Sequence, residues 1–192
     1  MKHLDIKKLF ITAMVLLCSV SANAYDFEVD GIYYNLTSAA DLTVEVTRGD
    51  KKYYGDIVIP STVSYKSKTL TVTSIGELAF YNCYNLISIT IPNSVINIES
   101  EAFLECKALT SIEIPNSVKT IGNQAFGYCE NLTTAIIGNS VTDMGTNTFT
   151  SCTKLANVKF SNGITRIGKN AFNCCIALTS ITIPNSVTSI NY

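Results

Sequence analysis

Hydrophobic positions in this chain follow two interleaved rhythms. Short stretches alternate: Ile112 and Ile114 flank the polar Glu113, the period of a strand with one buried face. Elsewhere the apolar residues are spaced as in Ile121, Ala125 and Phe126, at i, i+4 and i+5, with Gly122 at the start. That spacing predicts a short helical turn with its phenylalanine packed inward. Pro115, Asn116 and Ser117 make a corner between the two, because proline fixes φ and asparagine tolerates a left-handed backbone. Val118 and Ile121 bracket a second brief extended piece.

Both rhythms recur with a constant step. Phe80, Phe103, Phe126, Phe149 and Phe172 are spaced 23 residues apart, and Cys83, Cys106, Cys129, Cys152 and Cys175 keep the same step three positions later. Aliphatic columns accompany them, for example Leu86, Leu109, Leu132, Leu155 and Leu178. A period of this length that preserves residue type column by column predicts a solenoid, in which each unit hides its apolar side only by stacking on its neighbours. Gly138 and Ser161 stand where the corner proline is expected, and Thr148 replaces the alanine before Phe149. These departures read as loosened corners within the same fold.

The segment before the repeats has strand alternation but no 23-residue period. Strands are expected in 31–35, 43–47 and 56–59, forming a small N-terminal β cap that feeds the first coil. An insertion between Val63 and Val72 reads as a hairpin projecting from the first turn. The chain thus divides into a leader at 1–24, the β cap at 25–56 and the solenoid at 57–192, whose last repeat opens at Ile183 and stops before its Ala-Phe and Cys columns.

The repeat resembles the leucine-rich repeat family, and more narrowly its BspA-like branch. The resemblance rests on Ile183-Pro184-Asn185-Ser186-Val187-Thr188-Ser189-Ile190 and on Ala171-Phe172 through Cys175, Leu178 and Ile181-Thr182. It implies an α/β fold: a right-handed leucine-rich-repeat solenoid of 23-residue coils, one parallel strand and one short helical turn per coil. It also implies a bacterial secreted or surface protein that makes adhesin-like contacts.

The N-terminus changes the expected compartment. Lys2, Lys7 and Lys8 precede an apolar stretch from Leu9 to Val20, and Ala22-Asn23-Ala24 then offers a small-x-small cleavage signal. This is the pattern of a secretory signal peptide cleaved after Ala24. Cys18 raises lipidation as an alternative, but the preceding Leu17 occupies a position where that processing wants a small residue. The whole chain carries 14 basic and 15 acidic side chains; removing Lys2, Lys7, Lys8 and Asp5 leaves 11 and 14. No basic block supports a nucleic-acid partner, and nothing after residue 24 is long and apolar enough for a membrane span.

Candidate chemistry is sparse. The single histidine, His3, falls in the leader, which removes histidine-based triads from the processed chain. The cysteine column, shared with Phe and Leu, reads as buried thiols, with Cys174 off the column and more exposed. Column cysteines one layer apart do not surround an ion, so no metal or other cofactor is expected. Asp26, Glu28, Asp30 and Gly31 imitate the start of a calcium loop, but Thr37 stands where its bidentate acid belongs, and strand alternation explains them. Gly122 and Gly168 read as turn residues. Tyr33, Tyr34, Tyr53, Tyr54 and Tyr65 crowd the N-terminal part; they read as strand formers, half of them buried, with a recognition surface as the alternative.

What remains is a surface. The outward positions of the main parallel sheet are Ser88 and Thr90, Ser111 and Glu113, Thr134 and Ile136, Asn157 and Lys159, and Ser180 and Thr182. They vary while their inward neighbours do not, as a ligand-facing row permits. The function read from the sequence is a secreted or surface-exposed, non-enzymatic binding protein whose partner is a protein or glycoconjugate on a host or neighbouring cell. The alternative is a structural module that self-associates end to end through an uncapped C-terminal coil, or a truncated repeat protein without its own ligand. Intact-mass spectrometry of the exported protein is expected to show an unmodified chain beginning at Tyr25; a lipid adduct on Cys18 would reverse this reading.

Overall fold

The computed structural model describes residues 25–191; the expected signal segment lies outside them. The first strands are β1 (Phe27–Val29), β2 (Ile32–Ser38) and β3 (Thr43–Thr47), an antiparallel meander with Gly31 at positive φ in its first turn. β4 (Gly55–Val58) leaves this meander and pairs in parallel with β7 (Leu86–Thr90). β5 (Thr62–Tyr65) and β6 (Lys68–Ile75) form an antiparallel hairpin turned at Lys66 and Ser67, both at positive φ. This hairpin does not project. β6 lies between β3 and β8 (Asn97–Ile98) in the largest sheet, because the buried Leu70, Val72 and Ile75 belong to the core.

From β8 onward the chain repeats. β10 (Thr120–Ile121), β12 (Asp143–Met144), β14 (Arg166–Ile167) and β15 (Ser189–Ile190) extend the β6–β8 ladder in parallel, each pairing with residues 23 positions away. β9 (Ser111–Glu113), β11 (Thr134–Ile136) and β13 (Asn157–Lys159) form a second parallel ladder with the same step. The predicted outward row is therefore not one continuous sheet. β4–β7 and β9–β11–β13 are separate sheets, and Ser180–Thr182 stands outside either ladder. A bulge in β7 accompanies the interruption: Asp56 pairs with Ser88, so Ile87 is skipped and lies exposed.

No helix occurs among the described residues, which corrects the expected helical turn and the α/β class. The Ala-Phe segment is instead a string of tight turns. Within each coil, the amides of Cys83, Cys106, Cys152 and Cys175 close turns onto the carbonyls of Phe80, Phe103, Phe149 and Phe172. Alternate amides reach across to the next coil: Glu101 to Asn123, Phe103 to Ala125 and Glu105 to Gly127. An α-helix would consume those donors internally. The alternation requires left-handed residues four positions apart, observed at Glu101 and Glu105, Gln124 and Tyr128, Asn147 and Ser151, and Asn170 and Cys174.

The core runs the length of the repeats. Phe80, Phe103, Phe126, Phe149 and Phe172 stack face to face, with centroids 4.8, 5.0, 5.3 and 5.6 Å apart and interplanar angles below 10°. Tyr53, 4.5 Å from Phe80, continues the stack toward the N-terminus, followed by Tyr33 and Tyr25. The N-terminal tyrosines are thus mainly core: Tyr33, Tyr34 and Tyr53 are buried and only Tyr54 is widely exposed. The Tyr53 hydroxyl accepts the Tyr33 amide and donates to the Thr47 carbonyl, which joins the meander to the stack.

Cysteine's place is more specific than small apolar packing. The thiols of Cys106, Cys129, Cys152 and Cys175 each donate to the carbonyl of the phenylalanine 26 residues earlier, at 3.1–3.2 Å. The Phe80, Phe103 and Phe149 carbonyls thereby fill both lone pairs, one with their own turn and one with the next coil. All six described cysteines are free thiols, and Cys174 alone is exposed.

The repeat-column glycines are not there for turns. A Cβ on Gly145 would stand 2.6 Å from the Gly122 carbonyl carbon, and one on Gly168 only 2.3 Å from the Gly145 carbonyl oxygen. They permit one coil to lie directly on the next. The departures from the repeat are similarly tight. A Cβ on Gly138 would meet the Pro115 carbonyl at 2.4 Å, the Ser161 hydroxyl donates to the Ile137 carbonyl, and the buried Thr148 hydroxyl donates to the Gly145 carbonyl. These corners are closed, not loosened.

Phe126→Ala removes a ring stacked on both sides and is expected to cost about 3–5 kcal/mol in urea-unfolding stability; a loss below 1 kcal/mol would deny the stack its central role. A second outcome concerns pH. Burial pushes the Cys106, Cys129 and Cys152 thiols well above their ordinary value, and Cys175 up to about 11. These thiols stay protonated in the fold but ionise when unfolded above about pH 8.5. The unfolded chain then binds fewer protons, so stability is full below that pH and falls as pH climbs toward and past 11. Urea midpoints measured from pH 7 to 11 should decline, and a thiol reagent at pH 7.5 should label Cys174 alone before denaturation.

Candidate binding surface

The residues expected to face a ligand do face solvent. Nine of the ten are exposed, and Thr134 is half-buried. Alternation along each strand decides this: Ile112 and Ala135 are buried in the core, so their neighbours Ser111, Glu113, Thr134 and Ile136 point outward.

The structure gathers most of the row into two shallow depressions. One, of about 470 Å³, runs along the C-terminal ends of β7, β9 and β11 and contains Thr90, Glu113 and Ile136. The other, of about 290 Å³, lies over β13 and contains Thr134, Asn157, Lys159, Ser180 and Thr182. Ser88 and Ser111 stand outside both. The Ser88 hydroxyl is already engaged by the Asp56 carboxylate of β4. The first depression presents Glu113 beside Ile136, and the second presents Lys159, so the middle of the row carries opposite charges on either side of an exposed aliphatic group.

The row's floor and rim include residues that the strand pattern alone does not pick out. Asn93, Pro115, Asn116, Gly138 and Ser161 line the first depression from the corners that follow the strands. Their signal in the sequence was the corner column itself, where Gly138 and Ser161 replace the recurrent proline and so vary the rim from coil to coil. The Asn116 side chain accepts the Asn139 amide at 2.8 Å, which holds neighbouring corners together.

Several other polar side chains join one coil to the next. Thr133, Thr142, Thr165 and Thr188 hydroxyls each donate to a carbonyl 23 residues earlier. Arg166 forks onto Asp143, and Lys107 pairs with Glu130 at 3.0 Å. The Asp26 carboxylate accepts the Leu36 amide, so the calcium-loop imitation serves the first hairpin. Glu99 is pushed above the ordinary carboxylate range, first by partial burial and then by Glu45 and Glu77 nearby.

A family model described as a BspA-type leucine-rich repeat region matches residues 73–192 in six copies. The chain belongs to this family. Among solved structures, a leucine-rich repeat protein from Bacteroides ovatus is 31% identical with a TM-score of 0.66, and the match covers 86% of this chain and 49% of that one. A leucine-rich cell surface protein from Faecalibacterium prausnitzii is 28% identical with a TM-score of 0.63, covering 90% of this chain and 51% of that one. A leucine-rich repeat protein of T. pallidum, 20% identical with a TM-score of 0.54 over 80% of this chain and 90% of that one, shares the fold. The chain spans about half the length of the first two structures. No curated protein matches it. Leucine-rich repeats are interaction modules that bind through extended solenoid surfaces, and no helix among the described residues is long and apolar enough to cross a membrane.

Proposed function

We propose that this protein is a secreted or surface-exposed, non-enzymatic binding protein with an adhesin-like role. It engages proteins or glycoconjugates of a host or neighbouring cell through the outward strand row. The observation that carries this reading is the division of labour within each strand: buried inward positions keep their type, whereas the exposed row varies in charge, size and polarity and lines two adjoining depressions. The signal-like leader supports export, and the Faecalibacterium relative is described as a cell surface protein. A non-enzymatic role accords with the family, whose members offer surfaces.

A second reading has its own observation. In the last coils the columns that are closed elsewhere are partly open: Phe172, Leu178 and Val187 are half-buried, while Ile183 and Ile190 are 38% and 43% exposed. This apolar layer supports end-to-end association with a second copy, and light scattering across concentration distinguishes it from a monomer.

The triple variant Thr134→Ala, Ile136→Asp, Lys159→Glu is expected to lose most binding to immobilised extracellular-matrix proteins in a pull-down. Its unfolding midpoint should remain near wild type, because all three positions lie outside the buried core and surface changes contribute within about 0.5 kcal/mol each. Binding retained by the triple variant would discard the row.

A further inference from the structure

The two-stranded β4–β7 sheet has an open side at its N-terminal end. β4 pairs with β7 on one side only; no strand pairs with its other edge among the described residues. The Gly55 and Ile59 amides point toward β7, donating to the Asn85 and Thr90 carbonyls. Strand alternation therefore turns the Asp56 and Val58 amides the other way, toward the edge with which no strand pairs among the described residues. The side chains along this edge are unusually open for their type: Tyr54 is 76% exposed and Val58 68%. An exposed edge with apolar side chains and outward amides is a template for another strand, and native proteins ordinarily blunt it.

Beside this edge lies a cleft of about 380 Å³, walled by Val29, Ile32, Val58 and Pro60. Two polar groups mark it. Asp30, exposed and at positive φ in the turn of the first hairpin, sits at its border. Tyr34 is among its lining residues: it is fully buried, and its hydroxyl, itself closed off from solvent, has no hydrogen-bond partner among the described residues. Leaving a buried hydroxyl unsatisfied costs stability, so native interiors seldom do so. Burial, and then the nearby Asp30 charge, push the Tyr34 phenol up to about 12, so it stays neutral at physiological pH.

We infer that the free edge of β4 is a strand-addition site for an extended peptide segment of a partner protein, with a lysine side chain of that segment entering the Tyr34 cleft. The main chain supplies affinity by pairing with the Asp56 and Val58 amides and the carbonyls beside them. The cleft supplies selectivity. Its aliphatic walls suit the methylene stem of lysine, the Asp30 carboxylate pairs with the ammonium, and the Tyr34 hydroxyl offers an oxygen to the same group. Asp56 adds a second negative charge along the edge, so the approach favours a basic segment over an acidic one. The added strand lies on the side of β4 away from β7, whose Ser88 and Thr90 open the outward row, so the two surfaces adjoin.

The test uses residues 25–192 and a fluorescein-labelled, end-capped peptide of alternating valine and threonine with one central lysine. Fluorescence anisotropy should show saturable binding. Replacing the lysine by norleucine, or using Asp30→Asn protein, should weaken binding roughly tenfold. Tyr34→Phe should weaken it a few-fold while leaving the unfolding midpoint unchanged or higher. N-methylating the peptide amides that face β4 should abolish binding to the unaltered protein, so this arm does not depend on a variant that folds. Val58→Pro, which removes one edge donor, should do the same with an unchanged circular dichroism spectrum. Absence of saturable binding, indifference to N-methylation, or equal affinity for the norleucine peptide would each overturn the assignment.

Discussion

Everything in this molecule depends on the hydrogen bonds between one coil and the next. Each coil donates alternate amides to carbonyls of the following coil, which holds successive layers near the usual strand separation of about 4.8 Å. That distance is also where aromatic faces stack, so the five phenylalanines form a continuous pile with centroids 4.8–5.6 Å apart. The same separation leaves no room for a Cβ at Gly122, Gly145 or Gly168. It also puts the thiols of Cys106, Cys129, Cys152 and Cys175 within reach of a carbonyl in the coil before them. Ring, glycine and thiol columns are three consequences of one spacing.

The constraint explains why the turns take a form that costs backbone energy. A helical turn would satisfy its own amides and leave the neighbouring coil without donors. The chain adopts left-handed residues instead, mostly non-glycine ones such as Glu105, Gln124 and Tyr128, which individually favour other conformations. The bonds gained between coils offset that strain only because every coil repeats the arrangement. Stability is accordingly a property of neighbours and not of single units.

Interior repetition frees the surface. Because stacking is secured by buried columns and by backbone, the outward strand positions carry no common duty and differ from coil to coil. Function in such a fold is written where structure makes no demand. The edge of β4 is a different case. There no strand pairs with its outer side among the described residues, and the exposed Val58 and the Tyr34 hydroxyl without a partner among those residues lie beside that open edge.

The period, the identity of the core columns and the outward row were legible in the sequence because each depends on residue type recurring at constant spacing. The leucine-rich repeat assignment followed from the same columns. Other features were decided only by the tertiary structure. The i, i+4, i+5 spacing of Ile121, Ala125 and Phe126 is equally compatible with a helix, and the needs of the adjacent coil select the string of turns. The hairpin β5–β6 looked like an insertion, yet the apolar face of β6 draws it into the sheet. The glycines looked like turn formers, yet their reason lies in atoms of another coil. Local pattern can report what a residue is and how often it returns. It cannot report which distant amide or carbonyl a given backbone group will meet, and in this fold those long-range partners determine the conformation.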